Sequence, residues 1–132
     1  MRKLKVKSDI TISAASGNWS IRAGGAVLGE TSKALKLNEG NNGPILYFPK
    51  KDLAMAFFER TDQKTTCPHK GTSGYYSIVT KSQTLENIAW EFITPNLVVT
   101  DLLDYIAFVT TSAITIETVS YTHLTLPTKD SV

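Results

Sequence analysis

The chain has 132 residues, 42% of them hydrophobic and 20% charged, which suits one small globular domain with a modest core and excludes wholesale disorder. Its longest uninterrupted apolar run, Leu53–Phe58, falls far short of the roughly 20 residues a membrane-spanning helix needs, so no membrane helix is expected. Net charge is +2, but four positive charges fall within the first seven residues, which leaves the rest of the chain net acidic; nucleic-acid binding, which wants Lys and Arg clustered on one face, is not expected.

The basic start (Arg2, Lys3, Lys5, Lys7) has no apolar stretch behind it, so it reads as a solvated leader and not as a secretory signal. Ile10 and Ile12 then alternate with polar residues before the turn Ser16-Gly17-Asn18. Trp19, Ile21 and Ala23 alternate up to Gly24-Gly25, a hairpin turn into Ala26–Gly29. Asn38–Gly43 is a strong loop signal, followed by an apolar strand, Ile45–Phe48. Pro49 opens a short predicted helix, with Asp52 in its first turn and Leu53 and Phe57 on one face. Strands at Tyr75–Thr80, Leu85–Ile93, Tyr105–Val109 and Ile114–Glu117 complete the set. The fold class expected is mainly β: a small single domain of coiled antiparallel sheets, tent-like or barrel-like, with at most one short helix.

The domain is expected to span residues 1–118. Residues 119–132 begin Val-Ser-Tyr-Thr-His-Leu-Thr-Leu-Pro-Thr, which resembles the in-frame translation of a transposase-type sequencing adapter. That segment is therefore read as a non-native tail and set aside, although its Thr, Val and Tyr content would also suit a strand. Without His123, His69 is the one histidine left for chemistry.

Cys67 is the single cysteine, so no internal disulfide forms and a reducing, cytoplasmic setting is expected. It opens the segment Cys67-Pro68-His69-Lys70-Gly71. Pro68 biases Cys67 toward extended backbone and offers no N–H, which suits a strand end or edge, and Gly71 and Gly74 allow a turn before Tyr75. If Lys70 lay near Cys67 its charge would favour the thiolate, making Cys67 a candidate nucleophile; the plainer alternative is a small buried hydrophobe beside a surface lysine. Lys70 is also a candidate for holding an anionic ligand. Trp90 and Phe92 would share a strand face with Glu86 and Ile88. They form either a core ridge or, with Tyr47 and Tyr76, the apolar wall of a pocket in which Glu86 or Lys70 orients a polar ligand.

One Cys and one His supply no paired zinc knuckle, so neither a metal nor another cofactor is expected. Lys70-Gly71-Thr72-Ser73-Gly74 lacks the order of a phosphate loop, and Gly24-Gly25 lacks the dinucleotide fingerprint. Asp101 and Asp104 are the only near acidic pair late in the chain and read as turn or helix-start residues, so metal-dependent nucleotidyl transfer is kept only as the least favoured functional reading.

Several blocks between Gly24 and Phe108 resemble a small bacterial family, the domain-of-unknown-function 427 family, sometimes labelled nucleotidyltransferase-like. They are Gly24-Gly25 with Ser32, Tyr47-Phe48-Pro49 with Asp52-Leu53, Thr66–Gly71 with Tyr75-Tyr76-Ser77, Glu86-Asn87 with Ala89-Trp90, Pro95, and Tyr105–Phe108. The resemblance implies a compact fold of coiled antiparallel sheets, similar to zinc-binding tent domains without their metal knuckles, and it implies no mechanism. His69 stands where the family usually has an aromatic, and Glu91 where a small polar residue is usual.

Two functional expectations follow. The first is a small-molecule pocket, binding or weakly enzymatic, around Lys70 with Cys67, Tyr76, Trp90, Tyr47 and Glu86. The second is a non-enzymatic interaction module whose protein partner the sequence does not name. A chain ending at Thr118 is expected to keep the thermal midpoint of the full chain. A drop of several degrees, equivalent to about 1 kcal/mol in a domain of this size, would make the tail structural.

Overall fold

The computed structural model describes residues 10–119. Ten strands run in chain order: β1 (Ile10–Ala14), β2 (Asn18–Ala23), β3 (Ala26–Thr31), β4 (Leu35–Glu39), β5 (Ile45–Pro49), β6 (Phe58–Cys67), β7 (Gly71–Val79), β8 (Thr84–Pro95), β9 (Tyr105–Phe108) and β10 (Ile114–Val119). The basic leader lies outside the described residues. So does the expected tail, except for Val119, which pairs with Asn18 at the end of β10.

Every strand pairing is antiparallel. Seven strands form one sheet in the order β1-β4-β5-β9-β8-β7-β6, and β10-β2-β3 form a second. The fold class expected from sequence is the one observed. Among the described residues no helix is long and apolar enough to cross a membrane.

The predicted helix after Pro49 is replaced by two short 3-10 turns, Lys50–Asp52 and Met55–Phe57. Leu53 interrupts them because it is extended and bridges Gly29 of β3, while the next N–H, on Ala54, donates to the Leu28 carbonyl at 2.7 Å. Sheet pairing satisfies the backbone here in place of helical bonds. Two strands were not expected at all. β4 is short, and β6 is an exposed edge strand rich in Thr and charged residues, with no apolar alternation to reveal it.

Alternation along the central strands sends neighbouring side chains to two separate cores. Phe48, Tyr76, Ile78, Ala89 and Ile106 join one with Ile21 and Leu28 of the small sheet. Tyr47, Phe92 and Ala107 join the other with Leu37, Val99 and Leu102. The large sheet is therefore buried on both faces along its middle strands.

The Cys67–Gly71 segment is the hairpin turn between β6 and β7. The Lys70 N–H donates to the Cys67 carbonyl at 3.2 Å, with Pro68 in the second turn position, where its fixed φ is favourable. Gly71 closes the loop at φ +111°, opposite Cys67, as in three-residue hairpin loops that end on a glycine bulge. A Cβ at this position would also collide with the Thr94 carbonyl oxygen. Gly71→Ala is therefore expected to cost roughly 2–3 kcal/mol, combining backbone strain with overpacking, read as a lower urea midpoint at unchanged m-value. An unchanged midpoint would mean that the turn is not held against β8.

Candidate functional site

The hairpin turn is pinned by the residue that follows β8. The Asn96 N–H donates to the Lys70 carbonyl at 2.9 Å, and the Asn96 side-chain amide donates to the Pro68 carbonyl at 2.9 Å. Between the turn and the 3-10 segment Leu97–Leu102 lies a groove of about 420 Å³, lined by Ile10, Pro68, His69, Asn96, Leu97 and Val98. Cys67 carries a free, half-buried thiol and is not among the lining residues. The Lys70 ammonium turns toward β4, where it pairs with the Glu39 carboxylate at 2.7 Å.

Beyond Glu39 the second core begins. Tyr47, 1% exposed, stacks on Phe92 at 5.9 Å between ring centroids and meets Trp90 edge-on at 6.3 Å. Trp90 continues to Tyr75 at 6.3 Å. Burial raises the Tyr47 phenol to about 12; a hydrogen bond with Trp90 opposes this, while the charge of Glu39 adds to it. Tyr75, Trp90, Tyr47 and Phe92 thus form a continuous aromatic run, with the charge of Glu39 near enough to act on Tyr47.

Tyr76 and Glu86 are placed elsewhere. Tyr75 pairs opposite Trp90 and Tyr76 opposite Ala89, so Tyr76 points into the other core and does not share a wall with Tyr47 and Trp90. Glu86 is exposed near the start of β8, at the opposite end of the strand from Pro95 and the turn. The face expected to unite Glu86, Ile88, Trp90 and Phe92 is broken by a bulge. The register with β7 shifts between Tyr76 and Ile78, and Asn87 takes φ +52°. The bulge rotates Ile88 into the first core while Trp90 and Phe92 remain with the second.

The densest polar constellation sits around a residue that the sequence marked only as an oddity. Glu91 is 4% exposed. One carboxylate oxygen accepts from the Lys50 ammonium at 2.9 Å; the other accepts from the Tyr76 hydroxyl at 2.8 Å and from the Arg60 guanidinium. Arg60 also donates to the Tyr76 hydroxyl at 3.3 Å and lies over that ring, 4.6 Å from its centroid. Lys50 comes from the turn after Pro49, Arg60 from β6, Tyr76 from β7 and Glu91 from β8. Gly74, opposite Glu91, leaves the space that lets Arg60 cross β7, because a Cβ there would collide with its Nη1. Gly74 is therefore a strand residue and not part of the turn before Tyr75.

One signal for this cluster was present in the sequence: a lone Glu inside the apolar run Ile88–Ile93, where an unpaired charge would be costly. Nothing local pointed to Arg60 or Lys50. Among the described residues no group of three His, Cys, Asp or Glu side chains comes together that could hold a metal ion.

The electrostatics follow from the contacts. Burial pushes the Glu91 carboxyl up, but hydrogen bonds from Lys50 and Tyr76 and the charges of Lys50 and Arg60 outweigh it, leaving it below the usual value. Burial lowers Lys50, yet its bond to Glu91 and that carboxylate's charge hold the ammonium above its usual value. Burial and then Glu91 raise the Tyr76 phenol. A carboxyl that is more acidic folded than unfolded stabilises the fold fully at neutral pH. That contribution is lost as pH falls below about 4.5, the ordinary value, toward the lower folded one.

Glu91→Gln is expected to lose roughly 1–3 kcal/mol at neutral pH, toward the low side for a broken buried pair because Arg60 and Lys50 are part-exposed. It should also show a shallower acid loss of stability than the parent in urea titrations. An identical acid slope in the two proteins would show that Glu91 is not held ionised by this cluster.

The comparisons with known proteins cover the same body of strands. A family model described as a domain of unknown function (DUF427) matches residues 11–120, and no curated protein matches the chain. The match takes in β2 to β10 whole and all of β1 but Ile10, with the pinned hairpin turn and all four members of the Glu91 cluster: this chain belongs to the DUF427 family.

Proposed function

We propose that this domain binds a small molecule in the groove beside the Cys67–Gly71 turn, with His69 and Asn96 as its polar contacts. The observation that carries the reading is the groove itself. Its volume of about 420 Å³ falls in the range of ligand sites, and its apolar walls with few polar groups match their usual make-up. Leu97 stands 91% exposed at its edge, and Val98 beside it is 39% exposed. Covering a leucine side chain returns about 1.5–3 kcal/mol, a gain that folding alone leaves unused here.

The ligand that fits has an apolar body and one hydrogen-bonding or anionic group directed at His69. Lys70 is occupied by Glu39, so it supports an anion only at the cost of that pair. Cys67 does not line the groove, and the reading is therefore one of non-covalent recognition. The free thiol suits a reducing, cytoplasmic compartment. The second reading, an interaction module, is favoured by the further exposed apolar side chains Ile93 and Leu103, which lie outside the groove lining.

The test is a fragment screen by amide NMR on the full chain. Hits should shift the signals of His69, Asn96 and Leu97, and Leu97→Ser and His69→Ala should each weaken them about tenfold, equivalent to about 1.4 kcal/mol. Hits that map away from the turn, or that bind both variants as they bind the parent, would overturn the proposal.

A further inference from the structure

We propose that Lys50 and Arg60 form an oxyanion-binding site, a place for a carboxylate or phosphoryl group, with Glu91 as the buried anchor that holds the two cations together. This site is separate from the groove at the turn and does not depend on it.

The geometry brings the cations within reach of one ligand group. They contact the two oxygens of the same carboxylate, which holds both nitrogens beside one group. An oxyanion approaching from solvent can touch both, as carboxylates and phosphates do in charge-assisted pairs. Glu91 is sealed at 4% exposure, whereas the side chains of Arg60 and Lys50 remain 44% and 31% exposed. Each cation therefore presents an inner face to Glu91 and an outer face to water.

Donors are left over as well. Among the described residues, the hydrogen bonds of Arg60 all run through Nη2 and Nη1 packs against Gly74, which leaves Nε without a protein acceptor. Guanidinium has five donors in a fixed fork. Lys50, without Arg60, also lines a groove of about 400 Å³ with Pro49, Lys51, Asp104 and Tyr105. Lys51 adds a further positive charge at its edge.

The charge balance favours an anion. Lys50 and Arg60 carry two positive charges against the single charge of Glu91. Asp104 lies 4.0 Å from Lys50 with its side chain 77% exposed, and a pair that loose and solvated offsets little. The cations are also already ordered: Arg60 lies on the Tyr76 ring and bonds to Glu91. A ligand then loses less side-chain entropy on binding than it would with free surface cations.

The experiment follows the Arg60 Nε–H and Lys50 side-chain signals by NMR in the full chain during titration with inorganic phosphate and, separately, sodium acetate. Both signals should shift and saturate, with a dissociation constant on the order of millimolar for so small a probe. Saturation by phosphate but not acetate would assign the site to phosphoryl groups, and the reverse to carboxylates. Arg60→Lys keeps the charge but loses the fork, and it should weaken binding at least about tenfold, as should Lys50→Met, while Arg22→Ala in the small sheet should change nothing. Should either variant fail to fold, the parent titration still decides. Shifts that never saturate, or that are no larger at Arg60 and Lys50 than at other surface cations, overturn the proposal. So do folded variants that bind as the parent does.

Discussion

The carboxylate of a residue that is 4% exposed stays charged inside a sheet only if protein groups replace the water it has lost. At Glu91 that replacement is complete, with Lys50, Arg60 and the Tyr76 hydroxyl each bonded to it. Supplying those partners constrains much of the molecule. β6 has to lie where Arg60 can cross β7, β7 has to be bare at Gly74, and the chain after Pro49 has to turn so that Lys50 faces inward. The N–H of Lys50 donates to the Asp104 carbonyl at 2.9 Å, which fixes that turn against the start of β9. One buried charge therefore ties together three neighbouring strands and the connection that leads out of β5.

The bulges in β6 and β8 complete this arrangement. The β6 register with β7 shifts between Arg60 and Lys64, and the β8 register shifts beside Asn87. The two irregularities meet, since the Thr61 hydroxyl bonds to the Asn87 side-chain oxygen at 2.6 Å and the Asn87 N–H donates to the Ser77 hydroxyl at 3.1 Å. Bulges bend strands and re-aim side chains. Here they let one strand place Ile88 and Ala89 in the first core, Glu91 among its cations, and Trp90 and Phe92 in the second core. The aromatic run of the second core joins Tyr75, Trp90, Tyr47 and Phe92, and Lys70 of the hairpin turn pairs with Glu39 of β4.

The polar assets of the domain are divided between two regions. The turn region is hydrogen-bonded backbone beside an apolar groove lined also by His69 and Asn96. The Glu91 region is a set of charges whose inner faces are satisfied and whose outer faces are wet. They suit different chemistry: the first favours molecules with an apolar body, the second small anionic groups.

The mainly β class could be read from the sequence because alternation and turn residues are local signals. Ile21 and Ala23 before Gly24-Gly25 announce themselves within a few residues, as does the loop signal Asn38–Gly43, although its first two residues, Asn38 and Glu39, end β4 and pair with β1. The Cys-Pro-His-Lys-Gly segment was legible in the same way, as a place where proline and glycine force a particular backbone. What the sequence could not decide was everything that depends on partners distant in the chain. The stretch after Pro49 has a helical pattern, but Leu53 finds β3 and the pattern yields to a sheet bridge. β6 shows no alternation because its surroundings on an open edge impose none. Tyr76 and Trp90 are separated by a pairing register that only the assembled sheet sets. Lys70 took Glu39 across 31 positions, and Glu91 took Arg60 across another 31. Local backbone preference is written in neighbouring residues, whereas the partner of a charge is fixed only by the packing that brings distant strands together.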